Sequence, residues 1–176
     1  AMHATRVPPG LRVTQVADDH LDRLVELGRD VESAAFGVTQ CNRTEMLGAL
    51  RAPELHGARG TVALWDADRL AAVALAYDAL QHASGLYLDL FIHPEAPARQ
   101  DVATCLLSAA RTYAATFDPP EPAWVMRALS GSPSRSASTG KSEMKPSGST
   151  VKTSNRPWHV PQHRPDLLQA LQLVAC

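Results

Sequence analysis

The chain has 176 residues, a length that fits one domain with a substantial core, and its 45% hydrophobic and 20% charged residues are ordinary for a globular protein. A net charge of −1 gives no broad attraction to nucleic acid or to a membrane surface, and no apolar run approaches the ~18 residues that a membrane span needs. Cys41, Cys105 and Cys176 are odd in number and far apart, which suits neither a disulfide framework nor a zinc site.

Residues Leu11 to Val16 alternate apolar and polar side chains, as a half-buried strand does. Asp18 or Asp19 can cap a helix carrying Leu21, Leu24, Val25 and Leu27, with Gly28 as its expected end. A second helix is expected from Arg43 to Leu50, stopped by Pro53 and Gly57. Thr61–Trp65 and Leu70–Tyr77 read as strands joined by a hairpin turn at Asp66–Asp68. A third strand of this meander runs from Leu86 to Ile92 and ends at His93-Pro94. Val102, Cys105, Leu106, Ala109, Ala110 and Tyr113 then recur at helical spacing, which predicts an amphipathic helix to about Phe117. Cys105 falls in its apolar stripe, as a core residue would. Ala123–Met126 reads as one more strand. The order β-α-α-β-β-β-α-β predicts an α+β (mixed α/β) domain: an antiparallel meander that leads into a βαβ unit.

At Ser130 the composition changes. Ser, Gly, Thr, Lys, Arg and Pro dominate to Arg156, and Ala137, Met144 and Val151 are almost the only apolar residues. Such a stretch buries too little surface to offset its ordering entropy, so it is expected to be a flexible segment. Its composition is also what an out-of-frame reading of GC-rich coding DNA produces. Order is expected to return in a short helix near Asp166–Val174, with Asp166 at its start. Three regions follow: a core over 1–129, a polar segment over 130–157 and a C-terminal segment over 158–176.

The strand Leu88-Asp89-Leu90-Phe91-Ile92-His93-Pro94-Glu95, the turn after it and a helix with the paired Leu106-Leu107 resemble the GNAT superfamily of N-acetyltransferases. The resemblance spans Leu11 to Arg127. It implies a mostly antiparallel sheet flanked by helices, incomplete at its C-terminal end. It also implies acetyl-CoA as cosubstrate, an amine as acceptor and no metal. Backbone groups of Leu90, Phe91 and Ile92 would then face the acyl thioester. The turn and first helical turn, Arg99, Gln100, Asp101, Val102, Ala103 and Thr104, would face the pyrophosphate. The physical logic is general, because unpaired amides and the positive end of the helix dipole attract phosphate.

The sequence departs from the family pattern in two places. Ala98 stands where the family has Arg or Gln, and Asp101 stands where it has the first glycine. A carboxylate about 4 Å from a phosphate charge costs on the order of 1–4 kcal/mol, or roughly tenfold to a thousandfold in affinity. Asp101 equally suits a helix end with no ligand, where an acid complements the dipole. The family also often carries a tyrosine as general acid downstream, whereas Tyr77, Tyr87 and Tyr113 are all upstream. Asp89 is the candidate proton acceptor from an amine; a solvent-facing strand position is the alternative. His93 and Glu95 read as a strand-end polar pair.

Three weaker signals remain. Ser138–Ser142 resembles the end of a P-loop, but Arg135 replaces the required glycine and Pro146 and Gly148 oppose the helix that should follow. His159 and His163 have ligand-like spacing without a second pair. The first ten residues lack the apolar run of a signal peptide, so a cytoplasmic protein is the default.

Two functions are therefore in view. One is acetyl transfer to an amine. The other is a catalytically inactive descendant acting as a ligand-binding or protein-interaction module. Neither implies nucleic acid or a membrane as partner. An unpaired edge after Ala123–Met126 would invite a homodimer, or pairing with the chain's own tail.

Overall fold

The computed structural model describes residues 6–78, 85–117, 123–129 and 166–174, with 124–129 as backbone. Five strands, β1 (Leu11–Thr14), β2 (Thr61–Asp66), β3 (Arg69–Asp78), β4 (Leu86–Ile92) and β5 (Ala123–Leu129), form one sheet in chain order. β1 to β4 are antiparallel, and β5 runs parallel to β4. The fold is thus mixed α+β, as expected. Helices α1 (Leu21–Phe36) and α2 (Arg43–Leu50) lie on one face, with α3 (Arg99–Ala115) and α4 (Leu167–Val174) on the other.

Strand alternation sorts the core. Leu86, Leu88, Leu90 and Ile92 of β4 face α3, where Val102, Cys105, Leu106, Ala109 and Tyr113 are buried. Ala72, Ala74 and Ala76 on the same face of β3 leave room for that packing. The opposite face carries Val73, Leu75 and Phe91 against Leu24, Leu27 and Val31 of α1 and Met46 of α2. β3 therefore looks apolar throughout because both of its faces are covered.

Two sequence expectations need correction. The first helix does not end at Gly28; it continues to Phe36 and closes on Gly37, which adopts φ 73° while its amide donates to Ser33 O at 2.9 Å. Gly28 instead admits the neighbouring loop, because a Cβ there would lie 2.5 Å from Cys41 Sγ. Nor does Asp18 or Asp19 cap the helix. A 3-10 turn over Asp18–His20 precedes it, and the Ala17 amide donates to His20 Nδ1 at 3.0 Å. The second helix does run from Arg43 to Leu50, with the Glu45 amide bonded to Asn42 Oδ1 at 2.9 Å.

The C-terminal helix begins as expected. Asp166 Oδ1 accepts the Gln169 amide at 2.7 Å and Gln169 Oε1 accepts the Asp166 amide at 3.2 Å, a reciprocal cap. Gln15 Nε2 donates to the other Asp166 oxygen at 2.8 Å, tying the end of β1 to the helix. Leu167, Ala170 and Leu171 are buried with α3 and with Val62 and Leu64 of β2. α4 is therefore an integral part of the core. Residues 130–165, including the P-loop-like segment and the pair His159 and His163, lie outside the described residues.

Replacing Leu171 with Ala should lower unfolding free energy by about 2–5 kcal/mol, whereas replacing exposed Leu173 should change it by less than about 0.5 kcal/mol. Urea denaturation of the two variants checks this; equal effects would mean that α4 is not docked as described. Gly28→Ala should also destabilise, by about 1–3 kcal/mol from overpacking, and a Cys41→Ala background should remove most of that loss.

Candidate functional site

A six-residue turn, His93 to Ala98, links β4 to α3. The His93 amide continues the sheet by donating to Ala71 O at 2.8 Å, and the Ala96 amide closes a turn onto His93 O at 3.0 Å. Arg69 Nη1 bonds to Glu95 Oε2 at 3.2 Å, and Arg99 Nη1 reaches Pro94 O at 3.1 Å. Ala98 enters the helix at φ 48° and ψ 47°, a left-handed conformation that disfavours a β-carbon. Its side chain cannot cap, and the first intrahelical bond is Val102 N to Ala98 O at 2.9 Å. The amides of residues 99–101 precede that bond and head the dipole of a 17-residue helix.

The residues named from sequence around this end divide sharply. Arg99 is half-buried, while Gln100 and Asp101 are exposed in the first turn. Val102 is fully buried and its amide is engaged, so its side chain serves the core. Ala103 is partly buried against the same core. The Thr104 hydroxyl donates to Gln100 O at 2.9 Å. The backbone of the first turn fits an anionic group such as a diphosphate, whereas the Asp101 carboxylate opposes one.

On β4, Leu90 and Phe91 pair with Ala128 and Leu129 of β5, and Ile92 lies past the last β4–β5 pair. The register shifts between Leu88 and Asp89, where Val125 and Arg127 face successive β4 residues and Met126 is passed over. This irregularity sits beside Asp89, and such bulges re-aim neighbouring side chains.

Asp89 lies on the face toward α1 and α2. There it is half-buried and lines a cleft of about 400 Å³ with Glu32, Gln40, Cys41, Glu45, Met46, Ala49, Leu75, Tyr77 and Phe91. Asp89 thus sits at a concave, partly solvent-exposed position. Three of the described lining residues are carboxylates, and no Lys, Arg or His is among those described. Glu32 Oε2 also accepts the amides of Gln40 at 2.7 Å and Cys41 at 2.8 Å, so it shapes the loop that walls the cleft. Leu75, Met46 and Phe91 supply apolar wall. Phe36, one helical turn beyond Glu32, and Val38 extend an exposed apolar surface from the same segment.

Sequence reasoning did not find this cleft. Glu32, Glu45 and Tyr77 come from three elements, and only the helix periodicity that puts Glu32 at the edge of the core stripe of α1, one turn beyond Gly28, hints at its direction. Reasoning also missed the partner of His93, which is 63 positions away: His93 Nε2 lies 3.2 Å from Asp30 Oδ2 on α1. Among the described residues no group of three His, Cys, Asp or Glu side chains is placed to hold a metal, and no helix is long and apolar enough to cross a membrane.

No family model matches the sequence, and no curated protein matches it. Among solved structures, a possible acetyltransferase from Clostridium difficile 630 is similar in fold over 81% of this chain and 99% of its own, at 11% identity and a TM-score of 0.46. A structure of a probable acetyltransferase matches over 82% of this chain and 99% of its own, at 19% identity and a TM-score of 0.46.

Burial pushes the Cys105 thiol above its ordinary range, which lowers its thiolate fraction at neutral pH and removes it as a nucleophile. Cys105 should therefore resist a soluble thiol reagent in the native protein and react after denaturation. Mass spectrometry of the labelled peptide checks this, and labelling of native protein at the rate of a model thiol would contradict its burial.

Proposed function

We propose that this protein transfers an acetyl group from acetyl-CoA to a primary amine bound in the cleft between α1, α2 and the sheet. The observation that carries the reading is the position of Asp89. The acid singled out on the strand after the meander lies in a concave site with the carboxylates of Glu32 and Glu45. Such a site attracts an ammonium group, and Leu75, Met46 and Phe91 favour an apolar substituent beside it.

Acetyl-CoA would supply an acyl group already activated as a thioester. The chain's own residues do the rest. Glu32 and Glu45 hold the amine by charge, and Asp89 accepts the proton that the ammonium must lose before its nitrogen can attack, directly or through one water. The amides of residues 99–101 would receive the diphosphate at the positive end of α3. Leu90, Phe91 and Ile92 would orient the thioester arm, with Ile92 the member whose β5-facing side lies beyond the last strand pair. Catalysis on this account rests on positioning and proton removal, with no covalent enzyme intermediate. The outer edge of β5, which carries no further strand among the described residues, is where a second copy would add to the sheet.

Millimolar acetyl-CoA should raise the melting temperature, as any ligand of the native state does. No shift would favour a non-catalytic interaction module. Asp101→Asn should tighten acetyl-CoA binding by about tenfold, since it removes a like charge facing the diphosphate. Asp89→Asn should lower kcat with a primary amine by about a hundredfold or more while leaving the thermal shift intact. A rate unchanged by Asp89→Asn would remove Asp89 from catalysis.

A further inference from the structure

His93 is the first residue after β4, and only 7% of its surface is exposed. All four of its polar atoms are engaged. Its amide donates to Ala71 O and its carbonyl accepts from the Ala96 amide. Nδ1 accepts the Glu95 amide at 3.1 Å, and Nε2 faces Asp30 Oδ2 at 3.2 Å. A backbone N–H can only donate, so Nδ1 carries no proton and the ring proton lies on Nε2, directed at the Asp30 carboxylate. A ring bonded in this way has no nitrogen left to take a proton from substrate.

We infer that His93 is a positioning residue: its ring locks the turn before α3 in place, and Asp30 of α1 orients the ring. The link joins the two halves of the proposed site. On one side is the Glu95 amide, in the turn whose course decides where the first amides of α3 point. On the other is α1, which carries Glu32, a wall of the cleft, two residues beyond Asp30. Glu95 is anchored a second time by Arg69, so the turn is held from both β3 and α1. Asp30 is itself more than half exposed, and its part in this arrangement is the bond to His93.

Three substitutions separate the two ring bonds. The Asn oxygen overlies the position of Nδ1, so His93→Asn keeps an acceptor for the Glu95 amide and loses the reach to Asp30. The Gln amide nitrogen overlies Nε2, so His93→Gln keeps the Asp30 bond and loses the Glu95 acceptor. Asp30→Ala removes only the orienting carboxylate. Hydrogen exchange of the Glu95 amide, measured without any ligand, should quicken about tenfold in His93→Gln and less in Asp30→Ala, and should stay slow in His93→Asn. Equal exchange in all four proteins would overturn the inference.

The second arm rests on the acetyl-CoA reading. Apparent acetyl-CoA affinity should fall about three- to tenfold in His93→Gln and follow the exchange order, while the pH–rate profile keeps its shape in every variant. Loss of a limb of that profile in His93→Asn would make the ring a proton acceptor and refute the positioning role. If wild-type protein binds no acetyl-CoA, the functional reading fails, and the exchange arm still decides the role of His93.

Discussion

The two faces of β4 set the arrangement of everything else. Leu86, Leu88, Leu90 and Ile92 are buried against α3, while Asp89 and Phe91 point into the side covered by α1 and α2. Neighbouring strands hold it on both edges: seven residues pair with β3, and six with β5. A one-residue slip would move every leucine out of the α3 core and drive Asp89 into it, which is a cost no local adjustment offsets. Register therefore fixes which way Asp89 faces, and with it the side on which polar chemistry can occur.

The same register delivers the chain to the turn before α3. β4 ends at Ile92, the His93 amide makes one more bond to β3, and the ring turns into the interior toward α1. Six residues later a long helix starts with no side-chain cap, preceded by an alanine in a conformation that costs about 1 kcal/mol relative to glycine. Arg69, Asp30 and the Glu95 amide together over-determine this turn, which is how an unfavourable backbone conformation persists. The uncapped helix start is thus held by two outside anchors, Arg69 of β3 and, through His93, Asp30 of α1.

Much of this was legible in the sequence because period and punctuation are local. The meander, the helix from Arg43 to Leu50, the strand Leu86–Ile92 and the Asp166 cap all follow from alternation, Asn or Asp at a helix start, and turn residues. Gly28 misled because a glycine at the end of an apolar stripe reads as a stop. Here it is a contact with Cys41, brought in by a loop that no local rule locates. The left-handed Ala98 and the 3-10 entry to α1 were illegible for the same reason: tertiary anchors override the preferences of the residues themselves. The candidate site was legible only as a list along one strand and one helix. Its cleft walls, Glu32, Glu45 and Tyr77, converge only once α1 and α2 are folded onto the sheet.

That convergence also bears on two polar groups of this strand, the candidate acceptor Asp89 and the strand-end His93. Asp89 and His93 are four residues apart near the end of one strand, and each is a plausible proton acceptor by type. Their surroundings assign them opposite tasks. His93 has both ring nitrogens engaged, one by a backbone amide that cannot reverse its role, so it can hold geometry but not receive a proton without breaking the turn. Asp89 is half-buried beside a strand irregularity and opens on a cleft large enough for a small ligand. The described lining of that cleft carries the carboxylates of Glu32, Glu45 and Asp89. On the function proposed above, proton removal falls to the acid, while the histidine four residues on holds the turn before α3.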